Sequence, residues 1–422
     1  MNQSMLTVSF TASGALRKSA LRQANERLVL DAIRRNPGIS RAGISRITGF
    51  SRPSVTFVVN RLIGAKLVEE DKAENGAQTG RPPTALRLRG EAMAAIGVEI
   101  ARTGSSVVLV DFNGEIREKQ TVGWMPEPER FLELVYEAIR AVARSRKRCR
   151  ILGVGVSVPG TVDRAGGRVV AAEALGWFGV EVGRLLQQRL KWPVLLENAA
   201  NLSALAEQWC ALSATHALRN FVYIRLQGGV GSGVVVDGRI LHGSSSTGTE
   251  FGHVMLYPDG RPCNCGNRGC WEQYASDAAL VRNYREMGGE TFPGDDNVLE
   301  DSFEIVRRAR GGDPRALKAL RTTALFLALG FINVIAALNP EAIIVGEPMA
   351  SAWDLVKDVV EAELRRRVPP YYLNDLRLLP SRTDTHSALR GAAVLALTHF
   401  FTRFHHSQDP SSRRGVALLA HA

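Results

Sequence analysis

Apolar positions recur with two different periods along this chain, and the change of period divides it. From about Arg22, Leu28, Val29, Ala32 and Ile33 return at helical spacing until Asn36-Pro37-Gly38 breaks the pattern. Ser40 is placed to cap a second short helix over 41–47, with Thr48-Gly49 as the turn. Ser51 can cap a third, with Pro53 tolerated in its first turn. In that third helix Val55, Val58, Val59, Leu62 and Ile63 form one apolar stripe, and Arg52, Ser54, Thr56, Asn60 and Arg61 face the other way. Leu67-Val68 and Leu86-Arg87-Leu88 read as two short strands around a polar loop, with 78–83 at or beyond its tip. The pattern predicts a helix-turn-helix followed by a wing.

From Ala95 the period shortens to that of strands. Segments 96–100, 107–111 and 115–121 predict a β-meander, with Asn113-Gly114 as a tight hairpin turn. A helix over 128–146 follows, then an apolar strand over 151–158 that ends at Pro159-Gly160-Thr161-Val162-Asp163. A helix near 182–190, a strand at 194–196 and a helix through Trp209 complete a first lobe. A second lobe opens with a strand over 221–226 and a Gly-rich hairpin at 228–233. Helices over 301–310 and 313–338, a buried strand over 342–345 and a last helix over 385–401 follow, the last returning to the first lobe. Two α/β lobes with a meander, a cleft and a crossing final helix describe the actin-like ATPase fold. The expected organisation is a leader over 1–20, a winged helix-turn-helix over 21–90, a two-lobed domain over 91–402 and a tail over 403–422.

Composition changes this picture little, and charge changes it more. Of 422 residues, 45% are hydrophobic and 23% charged, as in ordinary globular proteins. No unbroken apolar run reaches membrane-spanning length, so no membrane span is expected. The N-terminus lacks the basic-then-apolar order of a secretory signal, so a cytoplasmic protein with reduced thiols is expected. The net charge is +11, yet residues 1–90 hold 15 basic against 6 acidic side chains, while the rest holds 38 against 36. A solvated three-helix bundle would share the periodicity, but the concentrated charge favours nucleic acid. Arg52, Ser54, Thr56, Asn60 and Arg61 are the candidate DNA contacts, with Arg81, between glycine and proline, in the minor groove.

The chemistry concentrates between Glu250 and Glu272. Three of the five cysteines, Cys263, Cys265 and Cys270, fall within eight positions, with His253 upstream. Zinc favours thiolate and imidazole in a closed tetrahedron, and these four supply a Cys3His set. Gly266 and Gly269 let the backbone turn tightly between them. Buried free cysteines would not cluster in a Gly-rich loop, and a disulfide would leave one thiol over. Glu250 and Glu272 lie just outside the ligands, where two fixed carboxylates suit a hydroxyl-rich ligand.

The run Gly248-Thr249-Glu250-Phe251-Gly252-His253, with Cys263-Asn264-Cys265-Gly266-Asn267-Arg268-Gly269-Cys270-Trp271-Glu272, resembles the motif of the ROK family of repressors and sugar kinases. The resemblance extends over 95–402, and the Ser-Arg-Ala and Gly-Arg-Pro elements resemble the DNA-binding domain of ROK-family repressors. It implies zinc at His253, Cys263, Cys265 and Cys270, and sugar contacts from Gly160, Asn198, Glu250, His253 and Glu272. The kinase machinery departs from the family pattern. Asp-x-Gly-Gly-Thr is replaced by Glu99-Ile100-Ala101-Arg102-Thr103. The second phosphate loop, 228–233, keeps glycines but loses its threonine. Where the family places the carboxylate that accepts the sugar proton, in Glu-Asn-Asp-x-Asn, this chain has Ala199. The expectation is a DNA-binding regulator, a repressor, whose sugar domain has lost catalysis and senses a sugar or sugar derivative. Its expected partner is operator DNA, bound as a homodimer or dimer of dimers. The alternative is a sugar kinase carrying a DNA-binding arm.

Overall fold

The computed structural model describes residues 18–71, 85–145, 149–210, 218–244, 248–290, 292, 297–383 and 386–402. Arg81, the wing tip, most of the leader and the 403–422 tail lie outside them. The described residues form two compact units, 18–89 with 399–402, and 90–398.

In the first unit, α1 (Lys18–Arg35), α2 (Arg41–Thr48) and α3 (Arg52–Gly64) precede β1 (Val68–Asp71) and β2 (Ala85–Leu88), which pair antiparallel. The caps are those the sequence places. Ser40 Oγ accepts the N–H of Gly43 and Ser51 Oγ that of Ser54, while Gly49 closes α2 at φ 73°. Val29, Leu30, Ile33, Ile44, Val55, Val59, Leu62 and Leu86 are buried at the centre. Leu28, expected on the inner face of α1, is exposed instead; Leu30 takes the inward position. At about 100° per residue Leu28 points roughly 120° from the mean direction of the buried Val29, Leu30, Ala32 and Ile33.

The second unit contains two five-stranded sheets of one topology. In the first, β3 (Met93–Ala101), β4 (Gly104–Asp111) and β5 (Ile116–Val122) form the meander. α4 (Pro128–Arg144) packs Phe131, Val135 and Ile139 on it. β6 (Arg150–Val158) runs parallel to β3. Three short strands, β7 (Thr161–Asp163), β8 (Arg168–Ala172) and β9 (Trp177–Val180), make a small antiparallel sheet, followed by α5 (Val182–Gln187). β10 (Val194–Asn198) completes the order β10-β6-β3-β4-β5.

After β10 the chain enters α6 (Ala199–Cys210), then β11 (Phe221–Arg225), β12 (Gly231–Val236) and β13 (Arg239–Ile240). The zinc-type loop leads into α7 (Glu272–Ala275), α8 (Asp277–Glu286), α9 (Val298–Arg310) and α10 (Pro314–Leu338). β14 (Ala342–Val345), α11 (Trp353–Arg367), β15 (Arg377–Pro380) and α12 (Ser387–Thr402) close the order. The second sheet, β13-β12-β11-β14-β15, repeats the first: a meander on one side of its leading strand, two parallel strands on the other. By length and composition α10 could cross a bilayer, but 56% of its most apolar stretch is buried in the core between α8, α9 and α11.

Two helices exchange sheets. α6 leaves the first sheet and packs on the second, which corrects the expectation that it closes the first lobe. Gly231 and Gly233 make the room: a Cβ on Gly233 would stand 2.4 Å from Ala200 O. α12 leaves the second sheet and packs on the first, as expected of the last helix. There a Cβ on Gly155 would stand 1.8 Å from Ala392 O, and one on Gly97 2.4 Å from Leu389 O. The two helices also touch, through Ser203 and Ser387 at 2.9 Å and Gly391 against Leu202.

Candidate functional site

The Glu250–Glu272 segment folds as a loop pinned from several sides. Thr249 takes φ 70°, held by Ser232, whose hydroxyl donates to Thr249 O while its carbonyl accepts from Thr249 Oγ1 at 3.2 Å. Gly252 sits where a Cβ would be 2.0 Å from Val230 O, and Gly269 where one would be 1.6 Å from Tyr257 O. Only glycine permits these approaches. Trp271, fully buried, donates its indole N–H to Phe326 O of α10 at 2.9 Å.

This loop gathers His253 Nδ1 and the sulfurs of Cys263, Cys265 and Cys270 within 4.8 Å of one another. Cys265 Sγ lies 3.7 Å from Cys270 Sγ, and Cys263 Sγ 3.7 Å from His253 Nδ1. A tetrahedron with zinc–sulfur bonds of about 2.3 Å has edges of roughly 3.8 Å. A disulfide would need the sulfurs at about 2 Å. The donor set therefore fits a closed structural zinc site. Burial pushes the Cys263 and Cys270 thiols up, and Cys263 donates to Glu272 Oε1 at 2.8 Å; the N–H of Asn267 holds Cys265 down. A divalent cation is the group that would draw all three into the thiolate form.

The sequence-derived sugar residues fall into two groups. On the first lobe, Asn198 Nδ2 donates to Gly160 O at 2.7 Å and its Oδ1 accepts the N–H of Ala200 at 2.7 Å. Gly160, at φ 97°, leaves no room for a Cβ beside Ala171 O. On the second lobe, Glu272 Oε1 lies 3.8 Å from His253 Nδ1, and Oε2 lies over the Gly-rich hairpin at Gly229. Glu250 stands exposed at the rim. Partial enclosure raises its carboxyl, His253 opposes this, and Glu272 and Glu173 push it further up. Because His253 turns Nδ1 to the sulfurs, its other ring nitrogen is left for a ligand.

Two side-chain contacts that sequence reasoning missed join the lobes. Glu197 of β10, almost fully buried, accepts from His242 Nε2 at 2.8 Å and pairs with Arg164 Nε at 2.7 Å. It also accepts from Asn201 and from the backbone N–H of Asn198. Burial alone would raise its carboxyl; His242, Arg164 and Asn201 outweigh burial and hold it below its ordinary range. Glu99 of β3 pairs with Arg225 of β11 at 3.3 Å, both largely shielded. Ala199, at the first position of α6, is buried, and Asp163 accepts the N–H of Gly166, closing the turn that follows β7.

On the first unit, Arg52, Ser54, Thr56, Asn60 and Arg61 are all exposed on α3. Three already have partners. Ser54 hydrogen-bonds Ser51, Asn60 Oδ1 accepts Arg41 Nη2 at 3.0 Å, and Arg61 pairs with Glu26 at 3.0 Å.

Comparison with known proteins places these features. The sequence profile of the ROK family matches residues 95–399, and that of the MarR family matches 23–77. The xylose repressor of Bacillus spizizenii is 28% identical over 385 residues, covering 90% of this chain and 96% of the repressor. The glucokinase of Streptomyces coelicolor is 31% identical over 281 residues, 64% of this chain and 87% of the kinase. Among solved structures, a ROK family transcriptional regulator described as a homolog of the Escherichia coli Mlc protein superposes with a TM-score of 0.73. It is 25% identical, and the match covers 92% of this chain and 98% of that one.

Proposed function

The chain belongs to the ROK family, and from that membership we propose that it is a sugar-responsive, DNA-binding transcriptional repressor. The observation that carries the reading is the union of two units in one chain. One is a helix-turn-helix with a basic excess; the other holds Asn198, Glu250, His253 and Glu272 at a cleft where Ala199 stands in place of a base. The match to the xylose repressor covers 90% of the chain, whereas the match to the glucokinase covers 64% of it.

In this reading the Cys3His cluster holds one structural zinc ion, whose charge organises the loop and fixes Glu272 and the His253 ring. Carboxylates and an amide accept and donate to sugar hydroxyls, where an unmatched buried group would be costly. An aldose is the effector class, and D-xylose is the first to test. The protein acts as a homodimer, or a dimer of dimers, on a pseudo-palindromic operator, with Arg52, Ser54, Thr56, Asn60, Arg61 and Arg81 at the DNA.

Fluorescence anisotropy tests this with a duplex enriched by the full-length protein, titrated with D-xylose, D-glucose and N-acetyl-D-glucosamine. One of them is expected to weaken DNA binding, and Glu272→Ala is expected to bind the duplex as wild type does but no longer respond. Binding that survives removal of residues 1–90, or a Glu272→Ala variant that responds at wild-type sugar concentrations, would contradict the assignment.

A further inference from the structure

Phe57 is an aromatic side chain on α3 that is 58% exposed. A single exposed apolar group is ordinary on a protein surface and by itself carries no information. Its position does. At about 100° per residue, Val55, Val58, Val59 and Leu62 define the buried side of α3, and residue 57 points within roughly 30° of the opposite direction. Phe57 therefore stands at the middle of the outward face of the second helix of a helix-turn-helix, the face that enters the major groove.

Three of the polar side chains around it already have partners within the protein. Asn60 is held by Arg41, Arg61 by Glu26, and Ser54 by the Ser51 cap. The Arg61 guanidinium also lies 5.9 Å from the centre of the Phe57 ring, closing one flank with a cation. An apolar centre with a cation at its edge matches the chemistry of one base-pair feature. Of the four bases only thymine presents a methyl group in the major groove, and a cation beside it can meet a backbone phosphate. An amide or guanidinium reads adenine or guanine, and residue 57 itself carries neither.

We propose that Phe57 is a specificity-determining residue that reads the C5 methyl of a thymine in each half-site of the operator. The inference rests on the DNA-binding reading of the first unit, and it adds a base contact of stated chemistry to a helix whose polar residues alone had been considered. Apolar contact with one methyl group should be worth about a fourfold change in affinity.

The experiment is a chemical double-mutant cycle on the full chain. A duplex is enriched from a randomised pool by the wild-type protein, then resynthesised with each thymine in turn replaced by deoxyuridine, which removes only the methyl. The expected result is one symmetry-related thymine pair at which deoxyuridine weakens wild-type binding about fourfold per methyl. Phe57→Ala should bind the parent duplex more weakly and lose nothing further on that replacement; Phe57→Leu should keep part of the sensitivity. Thermal melting of both variants should match wild type, because the side chain is exposed. Equal deoxyuridine effects in wild type and Phe57→Ala, or unchanged binding of Phe57→Ala to the parent duplex, would overturn the proposal while leaving the DNA-binding reading intact. Failure of the wild-type protein to enrich any duplex would overturn both.

Discussion

Single residues decide what the Glu250–Glu272 loop can hold. The 3.7 Å spacings of Cys265 to Cys270 and of Cys263 to His253 match the edges of a zinc tetrahedron, and none of the three thiols of the loop is left over. Purified protein is expected to carry about one zinc per chain by elemental analysis. Cys265→Ser should lose the metal and melt at lower temperature, because binding free energy at such a site is folding free energy. A wild-type protein that is metal-free and equally stable after chelation would refute the zinc assignment. The grouping of His253 with the three cysteines was legible in the sequence, since these side chains are local and chemically distinctive. His242 and Arg164 were not. His242 lies 45 positions from Glu197, in a loop without periodicity, and only the meeting of β10 with the segment after β13 reveals the pair. Glu173 was missed for the same reason: a lone carboxylate after a short strand carries no local signal.

At the level of elements, α10 supports the site through one missing side chain. Gly330 forms a notch in which the Trp271 ring lies; a Cβ there would stand 1.8 Å from the ring. Alanine favours a helix over glycine by about 1 kcal/mol. Overpacking a fixed core costs about 1–3 kcal/mol. Trp271 is fully buried and hydrogen-bonded to Phe326 O, so the ring has nowhere to go and the clash wins. Gly330→Ala is expected to lower the melting temperature by several degrees. It should also weaken sugar binding, because Trp271 lies between Cys270 and Glu272. A variant that melts higher than wild type would show that the ring repacks. Long elements such as α4, α10, β6 and β14 were readable because their periodicity runs over several turns or through a continuous apolar strand. β7, β8 and β9, of three to five residues each, are too short for a period to show, and α8 and α11 went unread beside the stronger signal of α10. The landing of α6 on the second sheet was hidden because it depends on glycines at 231 and 233, distant in sequence from the helix they admit.

For the molecule as a whole, the crossing of α6 and α12 ties each lobe to the helix of the other. A sugar held between Asn198 and Gly160 on one side and Glu250, His253 and Glu272 on the other would bind one lobe arrangement better, the only way a ligand can shift such an equilibrium. The Glu197–His242 and Glu99–Arg225 pairs span the same cleft, so the lobes already have attractive contacts before any ligand adds to them.

The Glu99–Arg225 pair also bears on what a carboxylate at position 199 could do. Replacing Ala199 by aspartate would restore the residue of the family pattern in a single substitution. Glu99, however, occupies the acidic position of the first phosphate-loop pattern, and a cation from the same polypeptide now engages it. Ala101 and Arg102 stand where the pattern has glycines. A carboxylate at 199 alone would leave this segment without the two glycines of the pattern. Ala199→Asp is therefore expected to show no ATP-dependent phosphorylation of any sugar that binds, measured by coupled assay against the unaltered chain, and turnover in that variant would show the segment still usable. If the variant stays silent, the carboxylate is not the one missing part, and the segment around Glu99 is the next place to change.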